Sequence, residues 1–88
     1  MAKMIHSMLR VFDAKKSIEF YQTVFDFRVK RQINFDDFDL IYLGNDETDF
    51  ELELTANHAQ KEVYELGNGY GHLAFAAENI EDLHAKAQ

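Results

Sequence analysis

Hydrophobic and polar positions alternate with a period of two along residues 4–12. Ile5, Ser7, Leu9 and Val11 fall on one side, and Met4, His6, Met8, Arg10 and Phe12 on the other. That period predicts a strand, because successive side chains of extended backbone point to opposite faces. The pattern then changes. Asp13 offers a helix N-cap, and Ala14, Ile18, Tyr21 and Phe25, broadened by Val24, form a stripe of helical spacing over residues 14–25. Period two returns in residues 27–34, in 38–43 after the Asp36-Asp37 turn, and in 49–55 after the turn signal Gly44-Asn45-Asp46. In the last of these Phe50, Leu52 and Leu54 oppose Glu51, Glu53 and Thr55. The first 57 residues therefore read β-α-β-β-β.

Residues 58–69 read as a loop that ends in Gly67-Asn68-Gly69, and residues 70–77 as a fifth strand. Asn79 is a second N-cap, followed by Glu81 and Asp82 where the helix dipole favours acidic groups. His6 precedes Asp13 by the same interval by which His72 precedes Asn79. This weak internal repeat of strand, cap and helix suggests two copies of one module, with residues 1–57 holding the first and 70–88 the start of the second. The expected fold class is α+β.

Composition narrows the function classes. The chain has 88 residues, 47% hydrophobic and 14% aromatic, which suits one folded domain and excludes a disordered chain. Its formal net charge of −7 argues against a nucleic-acid partner, which would require a basic surface. The short run Arg28-Val29-Lys30-Arg31 reads as the exposed face of a strand. Cysteine is absent, which removes thiolate ligands, thiol nucleophiles and disulfides. No apolar stretch is long enough to span a bilayer, and Lys3, His6 and Arg10 interrupt any secretory h-region. The expected setting is cytoplasmic.

Among the residues that carry chemistry, His6 and Arg10 share a face of the first strand, and Glu53 and Asn57 share a face of the fourth if that strand extends so far. His72 shares its side with Ala74 and Ala76, which leave room beside the imidazole. Two imidazoles and one carboxylate suit a divalent ion such as zinc, nickel or iron. Read singly, His6 and His72 fit surface histidines equally well, and Glu53 fits a solvated outward residue, as Glu51 does. His58 and His84 read as loop and helix-surface residues. The phenylalanines at 20, 25, 38, 50 and 75 read as core. Pattern alone gives a small soluble α/β domain with a candidate metal site.

Local motifs add to this. Met8-Leu9-Arg10-Val11-Phe12-Asp13, with Lys16-Ser17-Ile18-Glu19-Phe20-Tyr21, resembles the opening of glyoxalase I (lactoylglutathione lyase). Glu53-Leu54-Thr55-Ala56-Asn57 resembles that family's metal-glutamate strand. Tyr64-Glu65-Leu66-Gly67 with Gly69-Tyr70-Gly71-His72 resembles the approach to its second histidine. The resemblance covers nearly the whole chain and implies the vicinal oxygen chelate fold, built of paired βαβββ modules. It implies His6, Glu53 and His72 as metal ligands, Glu53 also as a catalytic carboxylate, and Arg10 and Asn57 as contacts to glutathione. The implied cofactor is Ni2+ or Zn2+, with the histidine at position 6 and the short loops resembling the nickel type. The implied reaction converts the methylglyoxal–glutathione hemithioacetal to S-lactoylglutathione. A homodimer with a shared metal site is the implied assembly.

The sequence also departs from the family pattern. The last three strands of the second module are expected to be missing, and with them a fourth ligand, the glutamate that serves as base. Asp26 stands where the family has a helix-ending glycine, and Asn68 where some members carry a glutathione-binding arginine. The alternatives are a non-catalytic binding module of the bleomycin-resistance type and a dioxygenase or epimerase on the same fold.

Overall fold

The computed structural model describes residues 1–88. Strand β1 (His6–Arg10) leads through helix α1 (Ala14–Phe25) to β2 (Arg28–Asn34), β3 (Phe38–Gly44) and β4 (Glu51–Asn57), and helix α2 (Ile80–Ala87) follows. The strands form one sheet in the order β1-β4-β3-β2. β1 runs parallel to β4, while the β4–β3 and β3–β2 pairs are antiparallel. This is the predicted β-α-β-β-β order, and the mixed sheet with helices is an α+β fold. No helix is long and apolar enough to cross a membrane.

The local signals act as expected. Asp13 caps α1, its side chain accepting from the Lys16 N–H at 3.1 Å. At the other end Asp26 adopts the left-handed conformation (φ 56°, ψ 31°), which lets the Phe27 N–H reach back to the Tyr21 carbonyl at 3.2 Å. The Asn45 amide donates to the Phe25 carbonyl at 3.1 Å, satisfying an orphan acceptor at the helix end. Asn79 caps α2 through the Asp82 N–H at 3.1 Å. At Asp36-Asp37 the hairpin closes through the Phe35 N–H on the Phe38 carbonyl at 2.9 Å. β4 runs to Asn57, so Glu53 and Asn57 do share a face.

One face of the sheet carries the core. Ile41, Leu43, Leu52 and Leu54 are buried from both central strands, and Leu9, Val11, Ala14, Ile18 and Tyr21 pack against them. Val24 of α1 is buried as well. The edge strand β2 is exposed along its whole length, in keeping with its Arg28–Arg31 charges. A bulge falls between Val29 and Arg31, and the Lys30 stem lies against Gly44, where a Cβ would meet its Cδ at 3.1 Å.

Two expectations are corrected. Residues 70–77 form no strand. A strand exists only as part of a hydrogen-bonded ladder, and this segment joins none; it is held instead by Leu73 on the core and by Phe75, whose ring stacks on Phe25 at 3.9 Å between centroids. The phenylalanines are not all core either. Phe20 and Phe75 are exposed and Phe25, Phe38 and Phe50 only half-buried, because the buried cluster is made by the aliphatic residues Ile41, Leu43, Leu52 and Leu54 of the two central strands.

Candidate metal centre

The face of the sheet opposite the core gathers the chemistry. Register sets its layout. Met8 pairs with Glu53 across β1–β4, Tyr42 with Glu53 across β3–β4, and Arg31 with Tyr42 across β2–β3. Directly paired residues project on the same side of a sheet. One row therefore crosses all four strands, with His6 one pleat along β1 from Met8.

His6 and Glu53 meet in that row. Nε2 of His6 stands 3.2 Å from Oε2 of Glu53, with the histidine side chain about one-third exposed and the glutamate nearly covered. Glu53 is 8% exposed, contrary to the solvated reading its alternation gives. β4 is the inner strand between β1 and β3, so neighbours on both sides cover a residue at its middle. A carboxylate removed from water needs hydrogen-bonding partners, and it has two. His6 supplies one. The second is the Tyr42 phenol, which rises above its ordinary pKa chiefly because it hydrogen-bonds the Glu53 carboxylate, with burial adding to the effect.

The tyrosine is itself held. Its ring meets the His6 imidazole edge-on at 5.8 Å between centroids, and the Arg31 guanidinium covers it at 3.9 Å. Arg31 also reaches Oε1 of Glu51 at 3.3 Å. Neither Tyr42 nor Arg31 stands out in the sequence. The signal that identifies them is register, which becomes visible only when the strands are paired.

Arg10 and Asn57 lie farther along the same face. Arg10 pairs with Thr55, two residues before Asn57. Asn57 donates through Nδ2 to the Tyr64 hydroxyl at 2.8 Å. Arg10, Lys16, Phe20, Tyr21 and Tyr64 line an open cleft of about 600 Å3. Tyr64 thus joins the two, one through the shared cleft and one through a hydrogen bond.

His72 is not with the pair. It is exposed on the segment that forms no ladder, and no group of three or more His, Cys, Asp or Glu side chains converges within the chain. The donor set of one chain is therefore one imidazole and one buried carboxylate. These two fit a divalent ion chemically, since neutral imidazole and carboxylate both ligate the zinc and nickel class, but the remaining positions must be filled from elsewhere.

Separate from this row, His58 bridges the hairpin turn. Its Nδ1 lies 2.8 Å from the Asp36 carbonyl and its Nε2 3.1 Å from Oδ1 of Asp39, while its N–H donates to the Asp37 carbonyl at 2.9 Å. The bond to the Asp36 carbonyl, followed by that to Asp39, raises its pKa. Sequence reading passes over this residue because its partners lie about twenty positions away.

A model of the Glyoxalase/Bleomycin resistance protein/Dioxygenase superfamily matches residues 3–88. The lactoylglutathione lyase of Neisseria meningitidis is 43% identical over 76 residues, covering 82% of this chain and 54% of that protein. The Haemophilus influenzae lactoylglutathione lyase is 38% identical over 82 residues, covering 89% of this chain and 60% of that protein. Among solved structures, Leishmania major glyoxalase I superimposes with a TM-score of 0.85 at 32% identity, covering 97% of this chain and 63% of that one. Zea mays glyoxalase I gives 0.85 at 28% identity, covering 97% and 31% respectively. The chain spans less than two thirds of the length of these relatives. With its βαβββ sheet, its His6–Glu53 pair and a family match over nearly its full length, the chain belongs to the glyoxalase/bleomycin resistance/dioxygenase superfamily.

Proposed function

We propose that the chain supplies half of a glyoxalase I-type active centre, which converts the methylglyoxal–glutathione hemithioacetal to S-lactoylglutathione. The observation that carries this reading is the His6–Glu53 pair, with Nε2 and Oε2 3.2 Å apart on the sheet face opposite the core. Lactoylglutathione lyases are relatives at 43% and 38% identity.

In this reading His6 and Glu53 of one copy and His72 of a second copy hold Ni2+ or Zn2+. His72 is exposed and free to face another chain. When bound, such an ion supplies Lewis acidity toward charge that develops on substrate oxygen. Glu53 would add a carboxylate beside the reacting centre, where proton transfer next to a carbonyl needs a carboxylate to carry the proton. Arg10 and Asn57 hold the glutathione moiety, the arginine because its planar fork matches a carboxylate. The cleft of Arg10, Lys16 and Tyr64 is open to such an anionic, extended ligand.

Metal uptake tests the site. Calorimetry with Ni2+ and Zn2+ should register binding to the wild-type protein and none to a His6→Ala, His72→Ala double variant. Equal uptake by both proteins refutes the ligand assignment. Light scattering should give a dimer, and a well-behaved monomer counts against the shared site.

A second reading is favoured by the lack of a three-donor cluster within one chain. It is a non-catalytic module of the bleomycin-resistance type that binds a small ligand. Following lactoylglutathione formation in the ultraviolet with added Ni2+ or Zn2+ separates the two, since only the lyase exceeds the uncatalysed rate.

A further inference from the structure

We propose that Tyr42 is a positioning residue that fixes both His6 and Glu53 in the geometry needed for a metal ion; this rests on reading those two residues as ligands. The placement of Tyr42 carries the inference. It sits opposite Glu53 in the β3–β4 register and projects on the same face. Its ring and the His6 imidazole pack edge-to-face at 5.8 Å between centroids, so one side chain neighbours both members of the 3.2 Å pair. It is 7% exposed, too enclosed to move freely.

Arg31 completes the clamp from the other side. Its guanidinium lies 3.9 Å from the Tyr42 ring centre and is anchored in turn by Glu51 at 3.3 Å. A cation over an aromatic face resists rotation of that ring. Cross-strand pairing sets the phenol beside the Glu53 carboxylate, and that carboxylate, by accepting from the phenol, is the main cause of its raised pKa. Groups that hydrogen-bond a ligating carboxylate set its orientation and tune metal affinity without touching the ion. A phenylalanine would fill the same space and leave the carboxylate free to rotate, which makes the hydroxyl the informative atom.

The test is Tyr42→Phe, which keeps the buried ring, its contact with His6 and its stack under Arg31. Its thermal midpoint should match wild type. In metal-free protein labelled with 13C, the Glu53 carboxyl resonance should move, because its hydroxyl donor is gone. Calorimetric Kd for Ni2+ or Zn2+ should weaken about tenfold or more, the usual effect of removing a group that orients a ligand. An unmoved Glu53 resonance, or wild-type affinity in the variant, overturns the assignment. A wild-type protein that takes up neither ion instead removes the ligand reading itself and the role of Tyr42 with it. The two failures are told apart by which protein misbehaves.

Discussion

The rings of Phe25 and Phe75 stack with centroids 3.9 Å apart and planes within 9° of parallel. This contact joins the end of α1 to a segment that has no ladder of its own. Phe27 adds a tilted contact to the same ring at 5.9 Å. Phe75→Ala should release residues 70–77 while leaving the sheet intact. Because Phe75 is 41% exposed, the expected loss is about 1–2 kcal/mol, below the range for a fully buried ring. Limited proteolysis should cut faster within residues 70–77 in the variant, while hydrogen exchange in the laddered strands β3 and β4 stays unchanged. An unchanged cleavage rate would mean that the contact of Leu73 with the core suffices to hold the segment.

A site shared between two copies, as proposed, would make a prediction that a site within one chain does not. If His6 and Glu53 of one copy act with His72 of another, mixing His6→Ala with His72→Ala restores binding that neither variant has alone. Each mixed dimer then regains one intact set, so random pairing should recover about a quarter of the wild-type sites. Calorimetry on the separate and mixed proteins reads this directly. If all three ligands belonged to one chain, mixing would restore nothing.

Glu53 is the second informative position. It is almost covered, with the His6 imidazole 3.2 Å from its carboxylate and the Tyr42 phenol beside it. Glu53→Gln keeps the shape and an acceptor for Tyr42 but removes the anionic donor. Metal affinity should fall by about a hundredfold or more, since a neutral amide is a weak ligand for the zinc and nickel class, while the fold persists by circular dichroism. Retention of wild-type affinity would place the metal elsewhere.

Much of the fold was legible because local rules govern it. Alternation located β1 to β4, and Asp13 and Asn79 announced both helices. Ile18, Tyr21 and Val24 face the core as their spacing required. What escaped depends on pairing between distant residues. Tyr42 lies opposite Glu53, and Arg31 opposite Tyr42, only because of register. Glu53 is buried because β4 is an inner strand, which its own alternation does not reveal. Residues 70–77 alternate as a strand does, yet strand formation needs a partner, and the segment has none among the other strands. His6, Glu53 and His72 were nominated by motif, and the chain brings together only the first two.

Asp26 offers a test of backbone conformation. It is the one non-glycine residue with positive φ, at 56°. Left-handed backbone costs an L-residue about 1–2 kcal/mol, though Asp pays less than most. Glycine removes that strain but adds roughly 0.5–1 kcal/mol of chain entropy on folding. The first effect outweighs the second, so Asp26→Gly should raise stability by up to about 1 kcal/mol by denaturant titration. A loss of stability would mean that the Asp26 side chain makes a compensating interaction at the helix end.

His58 makes stability depend on pH, and its geometry fixes the sign. Nδ1 faces the Asp36 carbonyl and Nε2 faces the Asp39 carboxylate, both acceptors. Neutral imidazole has one N–H and satisfies only one of them, whereas the imidazolium donates to both. The carbonyl of Asp36, then the carboxylate of Asp39, therefore raise the His58 pKa above 6.5 in the folded chain, against the opposing effect of desolvation. A group whose pKa is raised by folding stabilises fully below its unfolded value, near 6.5, and loses that contribution as pH climbs through the folded value. His58→Gln can bond one acceptor but carries no charge. The wild type should exceed this variant in thermal midpoint most at about pH 5.5, below the unfolded value, where His58 is charged in both states, and the gap should narrow as pH rises through the folded value. A gap that stayed constant or widened with pH would show that His58 holds the turn as a neutral ring, through the Asp36 carbonyl alone.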